Sequence, residues 1–168
     1  MMITIGTMPV GDLLAYGGYF TLIDKNNPAN GTGVLAKIVI WCKFAAHVKI
    51  GTFFANSSTS YTCRAAHSIG WIAAETITTV NVAIPVVAGD FLGGYYDVNG
   101  AINMKSSGPG VGVMANAGGD SCNTGVRSDG CWLFVPGPIS CYGYSAPLPS
   151  GHPPIVIARS IPCLSIQS

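Results

Sequence analysis

The sequence predicts an all-β chain: an antiparallel two-sheet β-sandwich of jelly-roll type, with extended strands at both termini. Three observations predict it. Helical periodicity is nearly absent, and Gly, Pro, Asn and Ser punctuate the chain about every 8–12 residues, the all-β spacing. Several segments alternate apolar and polar residues with period two. The 168 residues suffice for one domain with a real core, while 22 Gly and 11 Pro favour short strands and tight turns.

The elements follow in order. Residues 1–8 form an uncharged alternating strand, and Pro9-Val10-Gly11-Asp12 reads as a hinge after it. Residues 34–44 alternate, with Val34, Ala36, Ile38, Ile40, Cys42 and Phe44 on one face and Lys37, Trp41 and Lys43 on the other. Residues 47–54 follow after a short break, and 60–64 make a short strand. Residues 76–84 are rich in β-branched side chains and alternate. Further strands are expected at 91–96, 100–105, 110–115, 131–135 and 139–144, the last two joined at Pro136-Gly137-Pro138. Residues 145–154 read as an extended Pro-rich connection, and 155–157 and 161–166 close the chain. The domain reading is an N-terminal strand and hinge over 1–12 and one sandwich over 13–168.

One stretch is familiar. Ala88-Gly89-Asp90-Phe91-Leu92-Gly93-Gly94-Tyr95, then Asn99-Gly100-Ala101-Ile102 and the glycines from Gly108 to Gly112, resembles uncharacterised β-sandwich proteins of phage and environmental origin. Lys49-Ile50-Gly51-Thr52-Phe53 and Tyr61-Thr62-Cys63-Arg64 are similar too. The resemblance covers residues 34–115 and implies a jelly-roll module of a virion or an extracellular filament, with no chemistry attached.

Composition bears on function. Charged residues make up 9% of the chain, 8 basic and 7 acidic, with a net charge of +1. An average soluble domain of this size would carry roughly 42. This excludes a charged disordered tail and a nucleic-acid binder with a basic face. Mean hydropathy is +0.44. A membrane-spanning helix is nevertheless not expected, because the long uncharged stretch over 131–158 is broken by six prolines. A surface so poor in charge is best kept in water by burial against identical copies. The expected function is therefore a structural subunit, a homopolymer built head to tail at the cell exterior or on a virion surface. The expected assembly strand is Met1, Met2, Ile3, Thr4, Ile5, Gly6, Thr7 and Met8, added to a neighbour's sheet. Residues 155–168 are the other candidate donor. The alternative function is a carbohydrate-binding sandwich module that stacks sugars on Trp41, Trp71, Trp132, Tyr95, Tyr96, Tyr142 or Tyr144.

The six cysteines, Cys42, Cys63, Cys122, Cys131, Cys141 and Cys163, fit disulfides in an oxidising compartment. Cys122 and Cys131 bracket a turn-rich loop whose ends can meet; Cys42 and Cys63 form another candidate bridge, and six buried thiols are the alternative. Asn30-Gly31-Thr32 and Asn56-Ser57-Ser58 are glycosylation sequons, so Asn30 and Asn56 could carry glycans.

No catalytic residue, metal or cofactor is expected. Phe44-Ala45-Ala46-His47 and Gly119-Asp120-Ser121 resemble motifs of chymotrypsin-like proteases, with Asp90 or Asp97 between them. Cys122 stands where that family has Gly, and Ala-Ala-His recurs at Ala65-Ala66-His67. On strands Cys42 and His47 point to opposite faces, and Cys63 and His67 share a face but lie too far apart. Neither pair can share one zinc ion unless the chain turns between its members, as the break at Ala45-Ala46 could allow. Asp90, Asp97, Asp120 and Asp129 read as turn residues rather than calcium ligands.

Overall fold

The computed structural model describes residues 1–9, 14–16, 19, 21–98, 102–104, 113–116, 119–129, 132–135 and 141–145, with backbone alone for 14–16, 102–104, 113–116, 129 and 132–135. The described chain is all-β. Its strands are β1 (Thr4–Thr7), β2 (Leu14–Tyr16), β3 (Thr21–Asp24), β4 (Gly33–Trp41), β5 (Ala46–Ser57), β6 (Ser60–Ile72), β7 (Ile77–Val86), β8 (Phe91–Tyr96), β9 (Ile102–Met104), β10 (Val113–Asn116), β11 (Arg127–Asp129), β12 (Trp132–Val135) and β13 (Cys141–Tyr144). Two antiparallel sheets hold most of them. One has the order β1-β13-β4-β7 and the other β11-β6-β5-β8-β3-β10-β12, while β2 and β9 pair separately. Among the described residues, no helix is long and apolar enough to cross a membrane.

The sheets share a core. Leu35, Ile38 and Ile40 of the first sheet pack in one cluster with Leu22, Val48, Ile50, Leu92 and Tyr96 of the second, and Ile3 and Ile5 join them. A second cluster under β6 holds Ile23, Phe53, Tyr61, Cys63 and Cys122.

Several expectations change in detail. In β4 the inward set is Leu35, Ile38 and Ile40, continued by Cys42 just past its end, and Trp41 is buried as well. A bulge between Leu35 and Lys37 shifts the phase ahead of Ile38 and puts Leu35, rather than Val34 and Ala36, inward. Phe44 is exposed rather than inward. β6 runs eight residues beyond the expected end at residue 64, because pairing with β5 carries Ala65, Ala66 and His67 along a ladder their own propensity does not demand. β3 was not expected, since all four of its residues are buried and alternation is lost. Residues 146–168, with the Pro-rich connection and the last two expected strands, lie outside the described residues, as does the glycine run 108–112.

The Gly89–Tyr95 segment has a structural explanation. Asp90 is 2% exposed, and its carboxylate takes two hydrogen bonds from the Arg64 guanidinium, at 2.6 and 3.0 Å, and one from Val87 N. Arg64 also lies over the Phe54 ring, 4.8 Å from its centroid. A Cβ on Gly93 would stand 2.6 Å from Phe53 Cε2, so glycine there lets an aromatic ring lie flat on β8.

Candidate functional site

The N-terminal strand occupies a seat built from distant parts of the chain. On one side β1 pairs with β13 in the register Thr4 to Tyr144, Ile5 to Gly143, Gly6 to Tyr142 and Thr7 to Cys141. Ser145 extends this pairing: Ile3 N donates to its Oγ at 2.9 Å, and its own N donates to Ile3 O at 3.0 Å. On the other side lies the loop after β3. Thr4 N donates to Asn30 Oδ1 at 2.8 Å, Asn30 N donates to Thr4 O at 3.2 Å, and Gly6 N donates to Asn27 O at 2.8 Å. The strand is thus at the end of its sheet without offering a bare edge.

Side chains fix its depth. Ile5 is fully buried and Ile3 nearly so. Both rest on glycine. A Cβ on Gly33 would lie 2.6 Å from Ile3 Cδ1, and one on Gly143 would lie 3.0 Å from Ile5 Cγ2. Gly6 is required for two reasons: its φ is +76°, and a Cβ there would stand 2.5 Å from Cys141 O and 2.8 Å from Leu92 Cδ2. Thr7 ends the strand by donating its hydroxyl to Asp24 Oδ2 at 2.6 Å, and Asn27 Nδ2 donates to that hydroxyl at 3.0 Å. Asp24 is buried, and burial raises its carboxyl above the ordinary 3.8, opposed by the hydrogen bonds from Thr7 and Asn26.

Of the expected assembly segment, then, Ile3 to Thr7 are in the seat, Met2 lends its carbonyl to Asn30 Nδ2 at 3.5 Å, and Met1 and Met8 are exposed. The partners Asp24, Asn27 and Ser145 were not expected. Asn30 was expected only as a sequon; it is exposed on the rim of the seat. Asn56 is exposed near the β5–β6 turn, where its Nδ2 donates to Ser60 Oγ and Thr62 Oγ1.

Cys42, Cys63, Cys122 and Cys141 are buried free thiols. Cys42 and Cys141 sit in the first core cluster, and Cys63 and Cys122 in the second, so the Cys42–Cys63 bridge is not formed. Burial pushes the Cys42 and Cys63 thiols up to about 12 and raises those of Cys122 and Cys141. Cys131 and Cys163 lie outside the described residues, and the Cys122–Cys131 pairing with them.

Among the protease-like residues, His47 and Asp97 are brought together, through the His47 backbone rather than its ring. Asp90 is bonded to Arg64, Asp97 accepts a hydrogen bond from His47 N, and Ser121 Oγ accepts one from Ser128. Asp120 pairs with Lys49. Among the described residues, no group of three or more His, Cys, Asp or Glu converges to hold a metal ion. Of the expected sugar-stacking aromatics, Trp41 and Tyr96 are buried. Trp71 is 61% exposed, with its ring 5.1 Å from His47 at 66°. Tyr142 and Tyr144 form a ring pair 6.0 Å apart, tilted by 33°.

Comparison with protein-family models, curated proteins and solved structures finds no match to this chain.

Proposed function

We propose that this protein is a structural subunit that joins identical copies head to tail by exchanging its N-terminal strand, in an extracellular filament or on a virion. The observation that carries the reading is the seat of β1. An uncharged terminal segment is held by backbone bonds on both sides and by two isoleucines bedded on glycine. In a lone subunit it fills its own seat. In a polymer the same segment fills the seat of the next copy, which needs no new kind of contact. Donor and acceptor are different surfaces, so the chain of joints stays open and grows as a fibre. The strand supplies about six backbone hydrogen bonds at about 0.5–1.5 kcal/mol each. Ile3 and Ile5 add about 1.5–3 kcal/mol each. Closed and exchanged forms share these terms, so linker strain and subunit concentration decide between them.

The strand order supports a jelly roll of the kind the phage and environmental resemblance implies. Numbering β1, β3, β4, β5, β6, β7, β8 and β13 as one to eight, the first sheet runs one-eight-three-six and the second contains five-four-seven-two. Two interlocked Greek keys produce this order. Glycans at Asn30 and Asn56 would add solubility where charge is scarce, each replacing one Nδ2 hydrogen of an amide that now donates to Met2 O or to Ser60 and Thr62.

The test is negative-stain microscopy of concentrated protein. Full-length chain should form fibres; chain lacking Met1 to Met8 should not, and a synthetic peptide of those residues should bind it and restore its stability. Fibres from the truncated chain would refute the N-terminal donor and move the test to residues 155–168. The alternative, a carbohydrate-binding module, is favoured by the Tyr142–Tyr144 pair on the outward face of β13. A polysaccharide that shifts the protein's aromatic fluorescence, with the shift lost in Tyr142→Ala, would support it.

A further inference from the structure

We infer that Asp24 is a proton-operated latch on the N-terminal strand: its buried carboxylate holds Thr7, and its protonation tightens the hold of the seat on β1. The part this plays in assembly rests on the strand-exchange reading. The latch itself belongs to the single chain.

The geometry is that of a buried anion held by neutral groups. Asp24 is the last residue of β3 and is 0% exposed. Its Oδ2 accepts from Thr7 Oγ1 at 2.6 Å, and its Oδ1 accepts from Asn26 N at 2.9 Å and Asn26 Nδ2 at 2.7 Å. The titratable neighbours do not compensate its charge. Lys25, next in the chain, has its ammonium over the Tyr61 ring, 5.7 Å from the centroid. On β8, Leu92 stands opposite in register, and the buried Tyr96 phenol is raised further by the Asp24 charge. On β13, the buried Cys141 thiol feels the same charge. On β1, Thr7 is the contacting residue and carries no charge. Among the described residues no Lys, Arg or His is bonded to Asp24.

The sign follows from linkage. Burial is the largest cause of the raised carboxyl, and departure of β1 would remove the Thr7 contact and admit water to Asp24. The seated state therefore binds the proton more tightly than the open state. Lowering the pH through the raised value toward 3.8 favours the seated strand; above the raised value the ionised carboxylate loosens it. Neutral solution thus permits the strand to leave and exchange, and acid fixes it in whichever seat it occupies.

Hydrogen exchange in the full-length monomer tests this. The amides of Ile3, Thr4 and Gly6, all bonded in the seat, are followed by NMR at neutral and mildly acidic pH and corrected for intrinsic rates. The latch requires several-fold less frequent opening of these amides in acid. Asp24→Asn, which carries no charge, should open rarely at both pH values. Thr7→Val, which keeps the carboxylate but removes its donor, should open more often at neutral pH. Opening in the wild type that ignores pH would overturn the latch, as would Asp24→Asn opening more often than wild type at neutral pH. Fibre growth is scored separately. Fibres with pH-independent opening would remove the latch and keep strand exchange; pH-dependent opening without fibres would do the reverse.

Discussion

Among the described residues two aspartates, Asp24 and Asp90, are almost fully withdrawn from water, and they are treated in opposite ways. Asp90 is clasped by the Arg64 guanidinium through two hydrogen bonds, and Val87 N adds a third. That clasp ties the turn between β7 and β8 to β6, in the half of the molecule that holds the longest strands. Asp24, beside the first strand, is held among the described residues by the neutral donors Thr7 and Asn26. A buried charge with its counter-ion makes a fixed joint, because separating the two leaves an uncompensated ion. A buried charge held by neutral groups makes a joint that can open, because water is an acceptable replacement. On the strand-exchange reading the fold is firm beside β6 and releasable where β1 is seated.

The largest expected effect comes from breaking the firm side. Arg64→Ala strands the Asp90 carboxylate and should destabilise the whole domain by about 3–5 kcal/mol, read as a lower midpoint in denaturant. If the midpoint barely moves, the clasp is ornamental and the contrast between the halves fails.

A smaller and more local effect is expected on the releasable side. Gly6→Ala places a Cβ at positive φ against Cys141 O and Leu92, and should weaken the seat by about 2–4 kcal/mol. Proteolysis should then cut the N-terminus early while the sheets stay folded. Loss of all folded signal at once would mean that β1 is inseparable from the core.

The smallest effect sharpens the comparison with an exposed pair. Lys49 and Asp120 form a salt bridge with side chains 36% and 24% exposed. Lys49→Met should change stability by only about 0–1 kcal/mol, measured by the same denaturant titration. A cost as large as that of Arg64→Ala would show that pairing, not burial, sets the value of these contacts.

Much of the fold is legible in the sequence where faces differ. β8 was expected at its observed bounds because the Gly89-Asp90 turn marks its start. β3 was hidden because Thr21, Leu22, Ile23 and Asp24 are all buried, and a strand covered on both faces has no period to read. The Leu35–Lys37 bulge was hidden because an inserted residue leaves no mark in the alternation, and it exchanges the faces of β4 only ahead of Ile38. For the candidate site, the strand was legible and its seat was not. Residues 1–8 announce an uncharged alternating strand, whereas Asp24, Asn27, Asn30 and Ser145 reach it from 17 to 142 positions away. The Asn26-Asn27-Pro28 turn was the available signal, and it says turn before it says acceptor.

The central claim is that β1 of one copy enters the seat of another, and a cross-link across the seat tests it most directly. Thr4 and Tyr144 are opposite in register, so their Cβ atoms are about 4.5–5.5 Å apart and suit a disulfide. One population carries Thr4→Cys and a second carries Tyr144→Cys. They are mixed at high concentration under assembly conditions, oxidised and run on a non-reducing gel. Strand exchange predicts a covalent product joining one chain of each kind, absent when either population is oxidised alone. No such product from the mixture, with efficient cross-linking when both substitutions are placed in the same chain, would contradict the account and leave β1 as a strand of its own sheet.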